Sequence, residues 1–172
     1  MNLTLKLTTN ESFRKALELR TTARQQARLP LKLVRDIEDM EVIGGALLVY
    51  ASKRTSDQVQ RIRKFDPGIE RAEWSLNKME FDGYFHRRAM TLPLAWSLFW
   101  NSITFIAATC RKQGQNATLH FTFHYPIDEN LHDVRQHSSM SFHRDTGTPV
   151  IDSEMLDQFK LEHIAYVILD NS

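Results

Sequence analysis

One long apolar segment, residues 92–110 (LPLAWSLFWNSITFIAATC), limits this chain more than any other feature. Ser97, Asn101, Ser102, Thr104 and Thr109 interrupt it, whereas a lipid-facing span needs about 20 predominantly apolar residues. It reads as a buried helix. Thr91 offers an N-cap, and Pro93 falls in the first turn, where amides have no intrahelical acceptor. Arg111 and Lys112 followed by Gly114 make a good stop. Trp96, Phe99, Trp100, Ile103, Phe105 and Ile106 wrap the helix almost completely, which predicts a central position for residues 91–112.

The rest of the chain is arranged around that helix. Leu3, Leu5 and Leu7 alternate with polar residues at strand period, and Asn10 and Glu11 then open a helix expected to run to Arg28. A second helix is expected from Lys32 to Met40. Residues 42–52 read either as a buried strand weakened by Gly44 and Gly45 or as a continuation of that helix. Ser56 and Asp57 cap a short basic helix carrying Val59, Ile62 and Phe65, and Ile69, Ala72, Leu76 and Met79 predict another over residues 69–81. After Gly114 the pattern changes to strands: Leu119, Phe121, Phe123 and Tyr125 alternate with His120, Thr122 and His124. Residues 138–144 form a second candidate strand, Met155, Leu156 and Phe159 suggest a helix, and residues 164–169 (IAYVIL) suit a strand covered on both faces. Helices early and strands late predict an α+β fold, with an antiparallel or mixed sheet mainly from the C-terminal third, in one domain over residues 1–172.

Charge is unevenly distributed. Residues 1–88 carry 17 Lys and Arg against 12 Asp and Glu, while residues 89–172 carry 5 against 9. Arg14, Lys15, Arg20, Arg24, Arg28 and Lys32 make the first helices cationic, which suits either an anionic partner or an ordinary solvated face. Cys110 is the only cysteine, which excludes an internal disulfide and a multi-cysteine zinc site. With no apolar stretch of signal-peptide length at the N-terminus, a cytoplasmic location is expected.

Six of the seven histidines lie from His120 onward. On a strand, His120 and His124 stand about 13 Å apart, too far to share a metal that each must approach to about 2.1 Å. His120, Thr122, His124, His137 and His143 nonetheless form the candidate set for a metal- or histidine-dependent hydrolase. His120-Phe121-Thr122 resembles the His-x-Thr motif of two-histidine phosphoesterases, but the second copy, at His137, follows too closely for a duplicated lobe. Neither GxxxxGK[ST] nor GxGxxG occurs. Strand, capped helix, break and second helix at the N-terminus resemble the order of the ribbon-helix-helix family of DNA-binding dimers. That resemblance implies base contacts from Asn2, Thr4, Lys6 and Thr8 and phosphate contacts from Arg14 and Lys15. It covers about 45 residues and departs in its long first helix and in lacking a small polar cap before the second.

By elimination the sequence is read as a non-enzymatic, bacterial-type macromolecular binding protein of the inhibitor, immunity or adaptor kind. Its basic helical face, Arg14, Lys15, Arg20, Arg24, Arg28 and Lys32, is expected to meet a protein partner, with nucleic-acid binding as the alternative. No cofactor and no membrane association are expected.

Overall fold

The structure, a computed structural model, describes residues 4–18, 27–84, 90–127, 138–147, 150–151, 153–159 and 162–170. The fold is α+β. Its central sheet has five strands in the order β1-β7-β5-β6-β4, all antiparallel: β1 Leu5–Thr9, β4 Met79–Glu80, β5 Leu119–Pro126, β6 Ser139–Arg144 and β7 Glu162–Leu169. Among the described residues, no helix is long and apolar enough to cross a membrane.

The apolar helix α5 spans Leu92–Lys112, and the Thr91 side chain accepts a hydrogen bond from Leu94 N at its start. It packs through Leu98, Phe99, Ile103 and Ile106 against Leu119, Phe121 and Phe123 of β5, Met140 and Phe142 of β6, and Val167 of β7. Asn101, Thr104 and Ala108 are exposed, so α5 covers one face of the sheet and keeps a solvent side. The helix is buried and central, as expected, with its solvent side narrower than its buried one. Trp96 and Trp100 are only half-buried because the core needs one stripe of this helix.

Residues 42–52 hold neither one strand nor a helix extension. They form a hairpin, β2 Glu41–Ile43 and β3 Ala46–Leu48, turning on Gly44 and Gly45 at φ +58° and +87°. Two successive positive φ values suit the twist of a two-residue hairpin loop, and glycine reaches them without a Cβ clash.

Helix α1 covers Glu11–Glu18, and its expected continuation to Arg28 falls partly outside the described residues. Helix α2 spans Leu31–Glu38, and α3 spans Ser56–Arg63. The N-cap of α3 is Thr55, one residue before the expected caps, in a reciprocal pair of bonds with Gln58. Since α3 ends at Arg63, Phe65 leaves its apolar stripe and is 93% exposed. The helix expected over residues 153–159 is a short 3-10 stretch, Ser153–Gln158, from which Leu156 packs on Ile164 and Tyr166 of β7.

Helix α4, Ile69–Leu76, ends earlier than its periodicity predicts, and the next residues pair as β4 with one end of β6. The other end of β6 is met by α4 side chains instead of a strand. Glu73 accepts from Arg144 N (2.7 Å) and from the Arg144 guanidinium, while the Asn77 amide donates to Phe142 O (3.2 Å). The same two side chains reach the hairpin: Leu47 N donates to Glu73 (2.8 Å), and Asn77 both donates to Leu47 O and accepts from Val49 N. Glu73 and Asn77 are one turn apart and fully buried, so α4 ties β3 to β6 through polar bonds in the interior. Burial draws the Glu73 carboxyl upward, while the bonds from Arg144 and Leu47 draw it back down.

Candidate functional site

The turn after β3 borders an open cleft. Val49 is held by Asn77, and the chain then reverses at Tyr50, whose φ of +56° makes it the one non-glycine residue at positive φ among those described. That conformation is over-determined by its neighbours. Tyr50 N donates to Asp36 O (3.0 Å), Ala51 N to Asp39 O (2.8 Å) and Lys53 N to Tyr50 O (2.8 Å). Ser52 binds the Asp39 carboxylate through both N (3.1 Å) and Oγ (2.6 Å). The carbonyl end of α2 therefore clamps the turn. Left-handed backbone on a bulky residue costs of order 1 kcal/mol and is found disproportionately at ligand clamps and active sites.

Tyr50 and Tyr84 form the floor of this cleft, about 270 Å³ in volume, with Lys32, Asp36, Lys53, Lys78, Glu80 and Gly83 around them. The Tyr84 hydroxyl donates to Asp36 Oδ2 (3.1 Å), which leaves its oxygen to accept from the Tyr50 hydroxyl. Burial raises both phenols above their usual pKa; the bonds to Tyr50 and Asp36 add to the rise at Tyr84, whereas the bond to Tyr84 offsets part of it at Tyr50, and both remain protonated at neutral pH. The ammonium of Lys32 lies 5.4 Å from the Tyr84 ring centre, and Lys53 and Arg54 lie 5.7 and 5.6 Å from that of Tyr50. Lys53 is 3.8 Å from Asp36, and Lys78 is 3.5 Å from Glu80. Among the described residues Lys32 has no carboxylate partner. Three ammonium groups thus surround a tyrosine floor that brings two carboxylates with it.

Of the basic residues picked from the sequence, Lys32 lines this cleft, and Arg28 is exposed just before α2. Arg14 and Lys15 are exposed on a different helix, α1, where Lys15 pairs with Glu11 at 2.7 Å. Arg20 and Arg24 lie outside the described residues. For the ribbon-like alternative, β1 forms the edge of the sheet, paired with β7. Lys6 is exposed opposite Ile168, Thr8 is half-buried opposite Tyr166, and Thr4 O accepts from Asp170 N. Asn2 lies outside the described residues.

The histidines of the hydrolase alternative separate into two groups. His120 and His143 are register partners across β5 and β6, with ring centres 4.9 Å apart and 7% and 1% exposure. Burial pushes both pKa values down, that of His143 to about 4. His124 turns instead to Glu162 of β7 (2.9 Å), and that bond holds the Glu162 carboxyl low. Thr122 Oγ1 accepts from Trp74 Nε1 of α4 at 3.3 Å. His137 lies outside the described residues. Among those described, no group of three or more His, Cys, Asp or Glu side chains stands ready around one point to hold a metal. Cys110 is buried, and its thiol is pushed up to about 12, the state of an inert core residue.

Of the residues around this cleft and the buried histidine pair, sequence reasoning named Lys32, His120 and His143 and did not name Asp36, Tyr50, Lys53, Lys78, Glu80 or Tyr84. The one local signal was the Gly44-Gly45 turn, which fixes where β3 begins. Comparison with protein-family models, with curated proteins and with solved structures finds no match.

Proposed function

We propose that this is a non-enzymatic binding protein, of the inhibitor, immunity or adaptor kind, which takes an acidic group of a protein partner into the lysine–tyrosine cleft. The observation that carries the reading is Tyr50, a large residue held in left-handed backbone at the floor of a cleft rimmed by Lys32, Lys53 and Lys78. The phenolic protons are committed, one to Tyr84 and one to Asp36, so the donors left to a guest are ammonium groups. Such a lining favours holding a carboxylate over transforming it, since no nucleophile beside a base is among the lining residues. Exposed Arg28 and Arg35 extend positive charge from the cleft along α2 and its approach, which favours capture of an acidic surface.

The test is affinity purification of tagged chain from cells that natively express it, comparing wild type with a Lys32→Glu/Lys53→Glu variant and an Arg14→Glu/Lys15→Glu variant. A protein retained by wild type and by the α1 variant but lost from the cleft variant is the expected result. Loss from the α1 variant alone puts the contact on the wrong face. If a labelled oligonucleotide is bound at about 50 mM salt and released steeply as salt rises, the partner is a nucleic acid and the reading fails.

A further inference from the structure

We propose that His120 and His143 form a binding site for a divalent transition-metal ion of the zinc, cobalt or nickel class, completed by the Asp145 carboxylate. The β5–β6 register brings the two imidazoles out side by side on the face of the sheet opposite α5. Each ring has its Nδ1 engaged. In His143 it lies 3.0 Å from Arg144 O and must donate there, which leaves Nε2 with the lone pair of a neutral imidazole. In His120 it bonds the Tyr166 hydroxyl. Both Nε2 atoms are buried and have no hydrogen-bond partner. Two orphaned nitrogens on adjacent residues are unusual, because buried polar atoms are nearly always satisfied by protein, water or an ion.

The spacing fits an ion. Metal–nitrogen bonds of about 2.1 Å meeting near the tetrahedral angle put two imidazole centres roughly 5 Å apart; these are 4.9 Å apart. Asp145 Oδ2 lies 3.4 Å from His120 Nε2 without completing a hydrogen bond, on a side chain 42% exposed to solvent. It reaches an ion between the rings by a side-chain rotation, with water filling the remaining position. Three donors are not preassembled: the two imidazoles are in place, while Asp145, whose Oδ1 accepts from Gly147 N (2.9 Å), must turn its Oδ2 inward to complete the set. The entry path is from the Asp145 side. Tyr166 and the Arg144 carbonyl already hold the far nitrogens, as partners of metal-bound histidines do. Two nitrogens and one carboxylate select against magnesium and calcium, which prefer all-oxygen shells.

The experiment titrates chelator-treated full chain with Co²⁺, read by its visible absorption, and with Zn²⁺ in competition with a chromophoric chelator. One equivalent is expected to bind, with a cobalt spectrum of low coordination number. Affinity falls about tenfold or more in Asp145→Asn and further in His120→Asn and His143→Ala, while His124→Ala leaves it unchanged. Circular dichroism confirms that each variant is folded; Asp145→Asn, at an exposed side chain, serves should both histidine variants unfold. Absence of stoichiometric binding overturns the proposal. So does undiminished binding in folded Asp145→Asn, or a crystal grown with excess Zn²⁺ that shows only water between the two rings.

Discussion

On the α5 side of the sheet, β5 and β6 present Phe121, Phe123, Met140 and Phe142; on the other side the alternate residues of the same strands are His120, Thr122, Ser141 and His143. Every one of these eight is buried. The first set interlocks with aromatic rings, Phe123 lying within 5.2–5.5 Å of Phe13, Trp96 and Phe99. Such packing asks only for shape. The second set needs a directed partner for each polar atom, and where one is missing, as at the two Nε2 atoms, the gap is conspicuous. One ladder therefore carries a face that supplies stability and a face on which chemistry can be placed.

Four measurements sharpen or break that contrast. Phe123→Ala should cost the most, about 3–5 kcal/mol by chemical denaturation, because it empties the centre of the ring cluster. A cost below about 1 kcal/mol would mean that the α5 face is loosely packed. Glu73→Ala should cost about 3 kcal/mol by stranding the Arg144 guanidinium and two backbone N–H groups. Replacement by Leu at a much smaller cost would show that the loss lies in packing and not in the ion pair.

The polar face should also betray itself in acid. In chelator-treated protein His143 is neutral in the folded state down to about pH 4, against 6.5 for the ordinary residue. Above pH 6.5 both states are neutral and the residue adds no pH dependence. As pH falls through 6.5 only the unfolded chain takes the proton, so stability drops until about pH 4, by up to about 3 kcal/mol. His143→Gln should flatten that part of the curve; an unchanged slope would assign the loss elsewhere. The smallest effect belongs to the cleft. Lys53→Ala should change stability by less than about 0.5 kcal/mol, since its ammonium is exposed and its carboxylate partner 3.8 Å away. A larger loss would make Lys53 part of the scaffold and not a contact residue.

What could be read from the residues followed from how local each cause was. The apolar face of α5, the alternation in β5 and the continuous apolar run of β7 report themselves, because patterns over 8–21 residues leave few alternatives. The hairpin at residues 41–48 was legible in principle: two glycines between short apolar runs are a turn signal, and reading them as a flaw in a strand hid it. The early end of α4 was not legible, since Asn77 is claimed by Leu47 and Phe142, distant in sequence. The cleft was out of reach for the same reason. Its floor and rim come from residues 32–36, 50–53 and 78–84, which only the folded chain brings together. Strand spacing rightly separated His120 from His124, but the neighbour of His120 is set by register with β6, and register is not written in either strand alone.

The polar ends of Glu73 and Asn77 also have a bearing on self-association. By meeting Phe142 O and Arg144 N they leave β6 little free backbone to offer, and two-residue β4 adds little more. The remaining border, β1, shows half-uncovered Leu5 and Leu7. Among the described residues the five-stranded sheet is open only along this border, so copies that joined there would use it up on each other. Pairing through that border closes at two and does not lengthen the five-stranded sheet into a fibre.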